Sequence, residues 1–168
     1  MSGTWRPANV SRSNDRSEKN EAVREKKTVL FVCFFNSVRS PIAEGLLRDR
    51  CGDRYTVFSA GVAPTRLNPH TIKVMQETGI DISSHIPTSI YQYRTTDFDY
   101  VVSLCDIARP IVDGMLSPKN KGFHKGFVSP SEIGRDPEEI VEDFRNLKNE
   151  IDTYLSEIFP ECPQRNQK

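Results

Sequence analysis

A parallel β-sheet layered with helices is the fold class this 168-residue sequence predicts. Two patterns predict it. Short β-branched apolar runs at Thr28–Val32, Tyr55–Ser59 and Tyr100–Leu104 alternate with segments of helical texture at Pro41–Arg50 and Asn68–Thr78. Strands that alternate with helices build βαβ units, whose parallel strands are covered on both faces. The chain also ends in a long amphipathic stripe, the mark of a helix docked on such a sheet.

Each element has a local reason. Thr28-Val29-Leu30-Phe31-Val32 is apolar without alternation, as in a strand buried on both sides. The segment Asn68–Thr78 is closed by Gly79, which suits a helix C-cap. A fourth, weaker strand is expected within Phe123–Val128. In the last helix Ile140, Val141, Phe144, Leu147, Ile151, Tyr154, Leu155 and Ile158 recur at spacings of three and four. Asp136-Pro137-Glu138-Glu139 opens it with a capping carboxylate, a proline in the first turn and a glutamate three residues after the cap.

Composition narrows the classes of function. Basic and acidic residues balance at 23 each, which gives no general attraction to nucleic acid or an anionic membrane. No run approaches the roughly 18 apolar residues of a membrane span. Met1–Pro7 has no apolar signal region, and four scattered cysteines do not make a dense disulfide framework, so a reducing cytoplasm is the expectation. Residues 1–27 are rich in charge, Ser and Asn and read as a disordered or flexible polar tail. The domain is expected over 28–160, with a loose tail over 161–168.

The informative stretch is Val32-Cys33-Phe34-Phe35-Asn36-Ser37-Val38-Arg39-Ser40-Pro41. A loop curling from a strand end into a helix start turns several backbone N–H groups toward one point, where the helix dipole adds positive potential. Residues Phe34, Phe35, Asn36, Ser37 and Val38 supply that loop, and Arg39 adds a planar fork for two oxygens of a tetrahedral oxyanion. This environment favours a charged sulfur on Cys33, the form that attacks. Ser40 is placed to donate to the sulfur and to cap the helix that Pro41 begins. Such a nucleophile suits attack on phosphorus in a phosphate ester or on arsenic in arsenate.

VLFVCFFNSVRSPIAEGLLR closely resembles the P-loop of the low-molecular-weight protein tyrosine phosphatase superfamily, which includes the thioredoxin-coupled arsenate reductases. The resemblance continues through Ser59-Ala60-Gly61, Pro64-Thr65, Asn68-Pro69, Val74-Met75, Gly79–Ser83 and Asp99–Val102, and covers about residues 28–158. It implies a three-layer fold with a four-stranded parallel sheet in flavodoxin-like order 2-1-3-4 and helices on both faces. It also implies Cys33 as nucleophile, Arg39 as oxyanion ligand, Ser40 as stabiliser of the thiolate and Asn36 as the residue holding the loop backbone. The middle of the chain, notably Ser59–Ser83 and Ser103–Asp106, is more similar to the arsenate reductase branch. The expected function is therefore arsenate reduction, with an external thiol, thioredoxin or a small redoxin as reductant and no bound cofactor. The alternatives are phosphomonoester hydrolysis through a cysteinyl-phosphate, and a phosphate-binding module with little catalysis.

Three departures stand out. Cys105 matches the first shuttle cysteine of the reductase branch, but Val112 stands where its partner is usual. Cys105 then either pairs with Cys33 directly, works with a mobile cysteine such as Cys162, or is a buried small residue. Ser129 occupies the position where the resemblance places an aspartic general acid, and serine cannot replace a carboxylic acid at neutral pH. Glu132 is the substitute candidate, since Asp136 is accounted for as a helix cap. Finally, Phe35 stands where the phosphatases carry a small residue, so of Phe34 and Phe35 one is expected to pack and the other can line an apolar mouth. Cys51 is expected to be a packing or surface residue. His70, His85 and His124 lack metal-ligand spacing, and no metal site is expected.

Overall fold

The computed structural model describes residues 25–162 and residue 164. The expected polar tail lies, apart from residues 25–27, outside the described residues. Four parallel strands form one sheet in order β2-β1-β3-β4: β1 (Lys27–Cys33), β2 (Tyr55–Gly61), β3 (Tyr100–Ser103) and β4 (Lys121–His124). This is the expected order. Each parallel neighbour is reached through a crossover, and the order reverses between β2 and β3, on either side of β1.

Strand β1 is buried without interruption from Val29 to Cys33, which is why its sequence is apolar at every position rather than alternating. Its register pairs Cys33 with Gly61 of β2 and Val32 with Ser103 of β3. The chemistry-bearing loop therefore leaves the sheet at its carboxyl edge, between two neighbouring strand ends. β4 is shorter and begins earlier than Phe123–Val128, because beyond His124 the chain leaves the ladder while keeping the bonds Lys125 N–H to Ser103 C=O and Phe127 N–H to Leu104 C=O.

Helices α1 (Arg39–Cys51), α2 (Pro69–Gln76) and α4 (Pro137–Ile158) pack against one another, and α1 lies along β1 and β2; the short α3 (Arg109–Asp113) packs against β3 and β4. Asp136 caps α4 through Glu138 N–H at 2.9 Å, and its apolar stripe from Ile140 to Leu155 is buried. Asn68 caps α2 through His70 N–H at 2.8 Å, and Gly79 follows it in the left-handed conformation at φ 79°. α1 differs from expectation. Its cap position is Val38 with no capping side chain, and Ser40 lies inside the first turn, so the Ser40 hydroxyl is directed elsewhere.

The cysteines differ too. Cys51, at the end of α1, forms a disulfide with Cys162 across 111 residues, and both are buried. Cys51 is thus neither a simple packing residue nor a surface one, and Cys162 is not mobile. The segment beyond residue 160 is correspondingly anchored at its start, where Glu161 accepts a hydrogen bond from the Tyr55 hydroxyl. Cys33 and Cys105 are the free thiols among the described residues. No helix among those residues is long and apolar enough to cross a membrane.

Candidate active site

The loop from Phe34 to Val38 is shaped by where its carbonyls go. Val62, Ala63 and Thr65 donate backbone N–H groups to the carbonyls of Cys33, Phe34 and Phe35 at 3.2, 2.9 and 3.0 Å, and Asn68 N–H bonds Ser37 C=O at 3.1 Å. The carbonyls are thus drawn outward into the segment after β2. Among the described residues, no backbone N–H from Phe34 to Ser40 donates to a protein acceptor. Unpaired amides at the start of a helix are the substance of an anion site.

Asn36 fastens this curve. It is fully buried, takes a left-handed φ of 50° and uses all four side-chain valences. Its Nδ2 donates to Ser40 Oγ at 2.9 Å and to Ser59 Oγ at 2.8 Å, while its Oδ1 accepts from Thr88 N–H at 2.8 Å and from His85 Nε2 at 3.2 Å. Gly61 makes the approach possible, since a Cβ there would lie 2.8 Å from Asn36 N and 2.9 Å from Phe34 O.

A row of hydrogen bonds leads to the sulfur. Ser59 donates to the buried Glu44 carboxylate, which Arg48 also engages. Asn36 donates to both serines, and the Ser40 hydroxyl lies 2.9 Å from Cys33 Sγ and 3.4 Å from Ala60 C=O. A thiolate only accepts, so with Cys33 in its charged form the Ser40 O–H is the donor. The other end of the row, at Ser59 and Glu44, borders a cavity of about 310 Å³ that Arg48 and His85 also line. Burial pushes the His85 imidazole below its ordinary range, with Glu44 at 3.4 Å opposing and Arg48 assisting the shift.

Arg39 is half-buried. One terminal nitrogen donates to Phe127 C=O at 2.9 Å, while its Nε is buried with no protein partner. The guanidinium is therefore oriented by the segment that follows β4 and retains a donor for something else.

The remaining expected residues are distributed as follows. Cys105 is buried, one residue past Leu104, whose N–H bonds Val32 C=O at 2.8 Å, so the two free cysteines stand at adjacent strand ends. Val112 is buried in α3. Ser129 is exposed. The Glu132 carboxylate is held by Asn68 Nδ2 at 2.6 Å and lies 3.6 Å from His70 Nε2, beside the loop through Asn68. Phe34 packs against the core, and Phe35 is 44% exposed with its ring edge-on to Phe34 at 4.6 Å. Among the described residues no group of three or more His, Cys, Asp or Glu could hold a metal ion.

The sequence assigns no site role to Glu44, Ser59, His85, Thr88 or Phe127. Ser59 and Gly61 lie in a stretch that carries the family resemblance, and Glu44 lies one helical turn after Ser40. His85 and Thr88 sit on a loop with no periodicity, and a backbone carbonyl such as that of Phe127 leaves no trace in a sequence.

Residues 28–125 match the family model for low molecular weight phosphotyrosine protein phosphatase. An arsenate reductase of Halalkalibacterium halodurans is 37% identical over 126 residues, spanning 75% of this chain and 90% of that protein. One of Bacillus subtilis is 37% identical over 134 residues, spanning 80% and 96%. A solved arsenate reductase in its oxidized state superposes with a TM-score of 0.68 at 26% identity, covering 81% of this chain and 98% of that one. With its Cys33 cradle, its strand order and these similarities together, the chain belongs to the low molecular weight phosphotyrosine protein phosphatase family.

Proposed function

We propose that this protein reduces arsenate, with Cys33 as nucleophile and Cys105 as the resolving thiol. The observation that carries the oxyanion part is the cradle itself: unpaired loop amides and a buried, unpartnered Arg39 Nε around a sulfur 2.9 Å from the Ser40 hydroxyl. What favours arsenate is the pairing of two free cysteines at adjacent strand ends, together with the relatives named arsenate reductase.

The cycle balances as follows. The Cys33 sulfur attacks arsenic in bound arsenate, forming an S–As bond while one oxygen leaves as water after protonation. Loop amides and Arg39 hold the remaining oxygens and their charge. The Cys105 thiol then attacks the Cys33 sulfur and gives up its proton. An S–S bond forms, the S–As bond breaks, and its electron pair stays on arsenic, which leaves as arsenite. Two thiols have been oxidised and As(V) reduced to As(III). An external dithiol of thioredoxin type returns the two electrons. No bound cofactor or metal takes part. Glu132, tied to His70 and to Asn68, whose backbone N–H bonds the Ser37 carbonyl of the loop, is the candidate proton donor in place of Ser129.

A second reading, phosphomonoester hydrolysis, is favoured by the same cradle and by Phe35, whose exposed ring suits an aryl leaving group. The two separate in one experiment. Arsenate-dependent consumption of reducing equivalents through a thioredoxin system, lost in both Cys33→Ser and Cys105→Ser, supports the reductase. Hydrolysis of an aryl phosphate that needs Cys33 alone, with no arsenate turnover, replaces it with the phosphatase. Binding of phosphate without either reaction leaves a phosphate-binding module.

A further inference from the structure

Outside the cradle, three side chains form a hydrogen-bonded row that none of these steps uses. Ser103 Oγ lies 2.6 Å from His124 Nδ1, and His124 Nε2 lies 3.0 Å from Asp106 Oδ1. A carboxylate only accepts, so Nε2 carries the hydrogen and Nδ1 accepts from the Ser103 hydroxyl in the neutral ring. Serine, histidine and aspartate in a row are the parts of a hydrolytic triad, but Ser103 is fully buried while Asp106 is 87% exposed at its side chain. A nucleophile needs the reverse, an exposed serine and a sheltered carboxylate. The row is not hydrolytic.

Its placement indicates another role. Ser103 ends β3, His124 ends β4, and the two are paired in register, so the imidazole is mounted on the rigid edge of the sheet. Asp106 is the residue after Cys105 and opens the short 3-10 turn Asp106–Ala108 that leads into α3. The backbone ties of this corner, Leu104 N–H to Val32 C=O and Phe127 N–H to Leu104 C=O, both precede Cys105. After Cys105 the next backbone bond is local, Ala108 N–H to Cys105 C=O at 3.2 Å. Asp106 also lies against Gly126, where a Cβ would come within 2.6 Å of its carboxylate oxygen. Cys105 and Ala108 are buried and the turn packs on β1, and the side-chain bond from Asp106 to His124 adds a polar tie from the cysteine's own turn to β4.

We propose that His124 is a positioning residue for Cys105: anchored on Ser103, it latches Asp106 so that the Cys105 turn stays closed over a buried thiol, and release of that latch lets the thiol travel to Cys33. Reach to Cys33 rests on the reductase reading, whereas the closed turn does not. Opening of so short an element is a local event, and its frequency is read by how fast the buried thiol reacts.

The test is alkylation of the reduced full-length protein with iodoacetamide, with Cys105 and Cys33 followed separately by mass spectrometry. Asp106→Ala and His124→Ala are each expected to raise the Cys105 rate about threefold, the scale of losing one exposed hydrogen-bonded pair, with the Cys33 rate unchanged. Asp106→Asn keeps an acceptor for Nε2–H and is expected to stay near the parent rate. The Asp106→Ala/His124→Ala double variant should exceed neither single variant, because both break the same bond. An unchanged Cys105 rate in Asp106→Ala overturns the latch, and so does an equal rise at both cysteines, which means general loosening. On adding arsenate, the Cys33–Cys105 disulfide should form faster in Asp106→Ala than in the parent. If the parent forms none, the reductase reading fails, and the alkylation ratios still decide the latch.

Discussion

Asn36 concentrates the account at the residue scale, because one buried amide joins the loop, β2 and the segment before Ser89. Asn36→Ala leaves Ser40, Ser59 and Thr88 N–H short of a partner and puts a Cβ-bearing residue with no compensating bond at φ 50°. Unpaired buried groups cost about 1–3 kcal/mol each, and alanine in the left-handed region adds about 1. The expected result is a loss of about 4 kcal/mol or more in urea unfolding, with turnover down by more than tenfold. His85 adds a pH dependence. Burial lowers its folded-state pKa below the ordinary 6.5, so the folded chain binds that proton less readily than the unfolded one. Its contribution is therefore present above pH 6.5 and lost as pH falls through 6.5 toward the depressed value. The urea midpoint should drop between pH 7.5 and 5.5 in the parent, and by less in His85→Gln, which retains a donor for Asn36.

At the scale of elements, β1 and its two neighbours decide where the loop can lie. The pairing of Cys33 with Gly61 brings the loop backbone against β2, and Gly61 is the position where a side chain has no room. Gly61→Ala must push Asn36 N and Phe34 O away by several tenths of an ångström. Turnover should fall about 10²-fold, since small misplacements of positioned groups cost that much, while far-ultraviolet circular dichroism stays unchanged. Elements also show what a sequence makes legible. The unbroken apolar run of β1, the proline after Asp136 and the three-four stripe of α4 are local patterns, and each maps onto its element nearly to the residue. The short edge strand β4 carries no such pattern, because none of its four residues is buried, and its place in the sheet is set by pairing with β3. A serine before a proline satisfies the capping rule, but of the two roles expected of Ser40 only the contact with Cys33 is met, because its hydroxyl is engaged by Cys33 and Asn36 through tertiary contacts.

For the whole molecule, the Cys51–Cys162 disulfide closes nearly the entire domain into one loop, joining the far end of α1 to the segment after α4. Spacing alone does not reveal it, since 111 residues separate two cysteines whose proximity follows from how α1, β2 and α4 pack. A closed loop of that length contributes about 3–5 kcal/mol in the chain-entropy account. Cys51→Ser/Cys162→Ser is expected to unfold at lower urea by a corresponding amount while retaining Cys33 chemistry, because the disulfide lies at the opposite end of α1 from Ser40. Equal midpoints for parent and variant would refute the staple. The site divides in the same way as the fold: Cys33, Arg39 and Asn36 were legible from their spacing on one loop, whereas Glu44, His85, Thr88 and the Phe127 carbonyl converge from separate elements.

The central claim is that Cys33 and Cys105 act as one two-electron unit on a bound oxyanion. A thiol count on protein with the Cys51–Cys162 disulfide intact and Cys33 and Cys105 reduced, taken after one equivalent of arsenate with the products mapped by mass spectrometry, tests this. Starting from the two free thiols, the account predicts loss of both, a Cys33–Cys105 disulfide and one equivalent of arsenite. Two thiols remaining, with arsenate recovered unchanged, would contradict it.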